Sequence, residues 1–160
     1  MMRKRPASLP LLHPQPTVIV GFDSEWTILA KGRNRVLSYQ LVVLNTETGQ
    51  TSETFVTLEG NTRRSRKSLT WLLSVALRKA VREGVIPHIP DKLVLASHFA
   101  RADLTTLRDF DEFKHRLKAI RKTYATTDKP VSVRLATPRG EALCAVTVVD
   151  TTLQCAAKTP

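Results

Sequence analysis

The chain has 160 residues, with 25 Lys and Arg against 14 Asp and Glu, a formal net charge of +11 and a pI near 10.3. Its 42% hydrophobic content is ordinary for a globular domain and too high for general disorder, and the length suits one domain with a real core. No apolar run approaches the ~20 residues a membrane helix needs, so no membrane partner is expected.

Residues 1–16 open on Arg3-Lys4-Arg5 and contain Pro6, Pro10, Pro14 and Pro16, which predicts a basic, Pro-rich, flexible lead-in. Leu9, Leu11 and Leu12 are interrupted by proline and form no signal-peptide core. A first strand is expected over Thr17–Asp23, because the run is short, β-branched and apolar. Val36–Leu44 and Thr51–Leu58 follow as strands, joined by the polar connection Asn45-Thr46-Glu47-Thr48-Gly49-Gln50, and the three suit an antiparallel meander. After a basic loop, Lys67–Glu83 is expected as a helix. Its Leu69, Leu72, Leu73, Ala76, Leu77, Ala80 and Val81 recur at helical spacing, and Gly84 suits the position after its end.

Lys92–Ala96 reads as a short buried strand, and Ala102–Phe110 begins a second helical stretch. Asp111–Lys122 is expected to continue that helix or form another. Phe113, Leu117 and Ile120 supply an apolar stripe, with acidic residues at the start and basic ones at the end. Val131–Ala136 and Ala142–Asp150 read as strands about Thr137-Pro138-Arg139-Gly140. The last residues show no pattern. The order βββαβα(α)ββ predicts one α/β domain with a mixed sheet over residues 17–155, and residues 156–160 as a tail. Cys144 and Cys155 have no metal-ligand spacing, which makes a cytoplasmic protein with reduced thiols the default.

Asp23 and Glu25, two apart at the end of an apolar strand, project from one face. Like charges so close repel, and a divalent cation with a taste for carboxylate oxygen, Mg²⁺ or Mn²⁺, would relieve that. The bland alternative is a solvent-facing turn exit. In the second block, Leu93 to Phe110, a buried strand ends at Ser97-His98 and Asp103 lies in a first helical turn, where the dipole alone would favour it. Ends of neighbouring strands in an open α/β sheet are the usual place for a site. The two blocks together can gather three carboxylates, and two hard cations ~4 Å apart would activate water and stabilise a leaving oxygen.

These residues carry a resemblance. Phe22-Asp23-Ser24-Glu25-Trp26 is similar to the first motif of DEDD-type 3′–5′ exonucleases of the ribonuclease H-like fold. Ser97-His98-Phe99-Ala100-Arg101-Ala102-Asp103-Leu104 is similar to the second, with His98 where the family often has asparagine. The nearest flavour is the proofreading region of family B DNA polymerases of the protein-primed phage and plasmid type, in which Val148-Val149-Asp150-Thr151-Thr152-Leu153 also finds a likeness. The resemblance covers roughly residues 17–155. It implies a ribonuclease H-like mixed sheet with flanking helices, incomplete at its C-terminal side, and a metal-dependent 3′–5′ exonuclease-type domain.

Asp23, Glu25 and Asp103 would be its catalytic carboxylates and hold Mg²⁺ or Mn²⁺. The family's third motif, Tyr or His followed four residues later by a fourth carboxylate, is expected after Asp150. Tyr124 and Asp128 have that spacing but read as a loop. Weak or no activity is therefore expected of the chain alone, with the remainder of a polymerase as a partner. The alternative is a catalytically crippled module that binds nucleic acid or a protein.

The charge excess suits single-stranded DNA, or RNA, through counterion release. Arg63, Arg64, Arg66 and Lys67 are candidates for the backbone, Trp26 and Phe99 for stacking on bases, and His98 for a phosphate. Core packing is the commoner role for Trp26 and Phe99 individually, and Trp71 is expected in the core. Asp150 is expected as a turn residue at a strand end, near the site but secondary to it.

Overall fold

The computed structural model, which describes residues 17–60, 62–126 and 129–155, has eight strands and four α-helices in the order βββαβααββββα. Six strands make one sheet in the order β3-β2-β1-β4-β8-β7. β1 (Val18–Ile28), β2 (Asn34–Asn45) and β3 (Thr51–Thr57) form the expected antiparallel meander. β4 (Lys92–Ser97) and β8 (Gly140–Asp150) then run parallel to β1, and β7 (Val131–Thr137) closes the edge antiparallel to β8. A meander leading into parallel strands, with helices between, is the ribonuclease H-like mixed α/β arrangement. The expected tail and lead-in lie outside the described residues.

The meander turns where the polar sequence predicts. Asn45 accepts the amide of Glu47 at 3.0 Å through its side-chain oxygen and donates to the Val85 carbonyl at 2.9 Å, and Gly49 takes the left-handed conformation with φ +73°. α1 (Leu69–Arg82) begins at Ser68, whose hydroxyl accepts the Trp71 amide at 3.1 Å. Asp109 takes the Leu69 amide at 2.9 Å, and Gly84, at φ +73°, follows the end. Leu69, Leu72, Leu73 and Leu77 of the α1 stripe are fully buried in one core with Val20, Leu41, Leu95, Leu135 and Val146 of the sheet, and Val81 is half-buried at its edge. Trp71 departs from its expected place in the core. It lies off the stripe, 41% exposed, with the Lys67 ammonium 4.9 Å above its ring.

The largest departure lies at 100–126. α2 (Ala100–Leu104) and α3 (Phe110–Phe113) are brief, a 3₁₀ turn spans Lys114–Arg116, and the expected helix gives way to a hairpin of β5 (Lys118–Ile120) and β6 (Thr123–Ala125). The spacing of Phe113, Leu117 and Ile120 fits a helix, but long-range contacts decide otherwise. Tyr124 packs on Phe110, ring centroids 5.6 Å apart, and the Thr123 hydroxyl bonds Asp150. The acidic start of the expected helix serves an ion pair instead, with Asp111 2.5 Å from Arg63 and 2.9 Å from Lys114. These hold the Asp111 carboxyl down at about 2.

Candidate active site

β1 does not stop at Asp23 but continues five residues further, carrying Asp23 and Glu25 within the strand. Val18, Val20, Phe22 and Ser24 face the core, whereas Asp23 and Glu25 share the opposite, exposed face, as period-2 alternation requires. Between Glu25 and Trp26 the register with β2 shifts, Glu25 pairing with Ser38 and Trp26 with Val36, so Leu37 is the extra residue of a bulge. Trp26 emerges beside it, 37% exposed.

Asp103 arrives from α2, directly after β4, and reaches the same end of the sheet. One carboxylate oxygen accepts the Ser24 amide at 3.1 Å and the Ser24 hydroxyl at 2.7 Å, and the other accepts the Ser97 hydroxyl at 2.5 Å. Asp103 is thereby fastened to the residue between Asp23 and Glu25, across 79 positions of sequence. It is buried, 3% exposed. Burial raises its carboxyl above the ordinary range, the Ser97 and Ser24 hydrogen bonds oppose that, and the charge of Asp23 raises it further. The carboxylate oxygens suit a hard cation in kind. Among the described residues, though, no three His, Cys, Asp or Glu side chains gather closely enough to hold one.

Asp150 is more than a strand-end turn residue. It is buried, 1% exposed, at the end of β8. It accepts the amides of Phe99 at 3.3 Å and Ala100 at 2.8 Å, the Thr152 amide at 2.8 Å and hydroxyl at 2.6 Å, and the Thr123 hydroxyl. Burial pushes its carboxyl up, but these hydrogen bonds outweigh it and the net shift is down. Asp-Thr-Thr at a strand end does signal the local turn to Thr152. Nothing local signals the partners fifty residues away.

His98 is exposed, its Nδ1 3.0 Å from the Thr151 hydroxyl and its ring edge-on to Phe99 at 5.0 Å. It borders a hollow of about 400 Å³ that also includes Asp23, Gln40, Val42, Ala96 and Thr151. Phe99 is exposed rather than in the core, at 61%. In the basic loop Arg63 is paired with Asp111, and Arg66 donates to the carbonyls of Thr105 at 3.3 Å and Asn34 at 3.2 Å. Lys67 rests on Trp71, while Arg64 makes no ion pair among the described residues.

No family model matches the chain. It is similar to the primer-independent DNA polymerase PolB of Escherichia coli, 31% identical over 140 residues, covering 78% of this chain and 16% of the polymerase. The chain thus spans about a sixth of that relative's length. A solved full-length 3′-exonuclease is also similar, with a TM-score of 0.38 and 13% identity over 73% of this chain and 59% of the other.

Proposed function

We propose that the chain is a metal-dependent 3′–5′ exonuclease-type domain acting on single-stranded nucleic-acid ends, DNA first and RNA as the alternative, and belonging with a DNA polymerase or nuclease. The observation that carries this reading is the Asp103–Ser24 junction, which sets the helix carboxylate beside the Asp23-Ser24-Glu25 strand. Sequence likeness to a DNA polymerase supports it. Asp23, Glu25 and Asp103 would hold Mg²⁺ or Mn²⁺, and the ions, when bound, would activate water and stabilise the leaving oxygen. Asp23 and Glu25 present their charge to solvent. Ser24 and Ser97 hold Asp103 at the same strand, on the side to which the Ser24 hydroxyl points, although burial and the Asp23 charge oppose its ionisation.

Because no three ligands are assembled among the described residues, activity of the chain alone is expected to be weak. The test couples two readouts. Mn²⁺ binding is measured by calorimetry, and degradation of a 3′-labelled single strand is followed with Mn²⁺, for the native chain, Asp23→Ala and Glu25→Ala. Binding weakened at least tenfold by either substitution, with any cleavage lost in parallel, is the expected result. Binding unchanged in both variants sinks the metal site. Salt-sensitive binding to single strands without metal-dependent cleavage would favour the alternative, a nucleic-acid-binding module that lacks catalysis, which the unassembled ligand set also suits.

A further inference from the structure

A second cleft adjoins the hollow that contains Asp23 through neighbouring residues, His98 lining the hollow and Phe99 the cleft. Phe99, Arg101, Ala102, Thr105 and Lys122 line it, and its volume is about 360 Å³. One wall is α2, and the other is the turn of the β5–β6 hairpin. Two of these lining residues have left-handed backbones, Phe99 at φ 59° and Lys122 at 70°, as does Arg121, the neighbour of Lys122, at 46°. Such conformations persist only where surrounding structure imposes them. At Phe99 that structure is Asp150, which takes the amides of Phe99 and Ala100 and, through the Thr123 hydroxyl, ties α2 to the hairpin, whose two-residue turn holds Arg121 and Lys122. Arg101 adds two stitches, from its amide to the Thr123 hydroxyl at 3.3 Å and from its guanidinium to the Lys122 carbonyl at 3.4 Å.

This framework spends strain to present side chains outward. The Phe99 ring is 61% exposed, so core burial does not offset its conformation. Arg101 and Lys122 are exposed as well, and neither forms an ion pair among the described residues. A bare aromatic face next to two unneutralised cations suits an unstacked base followed by phosphates.

We propose that this cleft is a nucleotide subsite in which Phe99 stacks on a base of a single strand while Arg101 and Lys122 hold the adjoining phosphates, the strand end passing His98 towards Asp23. The inference rests on the nucleic-acid reading above and names where the strand runs. A duplex is a poor occupant, since its paired bases are not free to stack on the ring. The shared chemistry does not separate DNA from RNA, so both enter the test.

Fluorescence anisotropy is measured with a labelled oligothymidylate, an oligouridylate and an abasic deoxyribose-phosphate strand of the same length, over a series of salt concentrations. Phe99→Ala is expected to weaken binding of the base-bearing strands about tenfold and to leave the abasic strand unaffected. Lys122→Ala is expected to weaken all three and to reduce the log–log salt slope by about 0.7. Phe99→Gly, which suits the left-handed backbone without strain, serves as the folding control and should lose affinity as Phe99→Ala does. If the native chain binds and these variants bind equally well, the subsite falls while the nucleic-acid reading stands. If the native chain binds no strand at low salt, both fall.

Discussion

Replacing Asp150 asks whether that carboxylate belongs to the scaffold or to the chemistry, because the two roles give stability changes of opposite sign. A carboxylate kept ready for a cation is a liability in the free protein, and its removal is neutral or stabilising. A carboxylate whose lone pairs are all spent is an asset. Asp150 receives three hydrogen bonds on one oxygen and two on the other. Asp150→Ala strands the buried Ala100 amide and the buried Thr123 hydroxyl, each costing about 1–3 kcal/mol. Water can reach the partly buried Phe99 and Thr152 amides and limits the rest. A total of about 3 kcal/mol, or a fall in Tm of about 6–12 °C for a domain of this size, is expected.

Asp150→Asn should recover only part of this, since an NH₂ group placed on either oxygen faces at least one backbone N–H. The pH dependence supplies an internal check. The carboxyl is lowered in the folded state, so its contribution is present above the ordinary value of 3.8 and is lost as pH falls through the folded value. The gap between native and Asn proteins should therefore be widest at neutral pH and narrow below pH 3.8. Urea denaturation at pH 7 and pH 3 measures it. A loss under about 0.5 kcal/mol at pH 7, the range of an ordinary surface substitution, or a gain in stability, would refute the network.

Asp103→Asn should behave differently, within about 1 kcal/mol of the native chain at pH 7. Its amide oxygen can take both Ser24 donors, and its NH₂ can meet the Ser97 hydroxyl as an acceptor. Because the Asp103 carboxyl is raised, its contribution is full below 3.8 and declines as pH rises through the folded value, so urea titrations should find Asn gaining on Asp from pH 4 to pH 7. Ser68→Ala should cost about 1 kcal/mol by loss of the α1 cap, read from thermal unfolding. Converting Arg121-Lys122 to Asn-Gly should stabilise the hairpin by about 1–2 kcal/mol in the same assay, because both turn residues have positive φ, while binding to single strands weakens.

The meander, α1 and the parallel strands were legible because their signals are local: period-2 alternation, a polar connection through Asn45 and Gly49, and an apolar stripe ended by Gly84. That Asp103 would reach the Asp23-Ser24-Glu25 strand was legible for the same reason, each block standing beside an apolar run. Residues 105–126 were not. The intervals from Phe113 to Leu117 and Ile120 satisfy helical periodicity, while what selects the hairpin is a hydroxyl on Thr123 meeting a carboxylate 27 residues later and a Tyr124 ring meeting Phe110. The exposure of Phe99 was hidden likewise, since a ring beside a buried strand ordinarily packs inward. Here a left-handed backbone, fixed by Asp150, turns it out.

Asp23, Glu25, Asp103 and Asp150 belong to one region of the domain, and their residue type says little about which does what. Their lone pairs say more. Asp150 has five donors, a lowered carboxyl and no exposure to speak of, so it acts as a rivet joining β8, α2 and the hairpin. Asp103 has three donors and still sits above the ordinary range, because burial and Asp23 work against its charge. Asp23 and Glu25 are exposed and make no salt bridge among the described residues. Such a gradient, from satisfied to unsatisfied charge across one sheet end, is what a fold needs if it is to spend one carboxylate on rigidity and keep others for a ligand. It also places the cost of the arrangement. Repulsion between Asp23 and Asp103 persists in the free protein because Ser24 and Ser97 hold Asp103 in place, and a cation or a proton is the natural agent to relieve it.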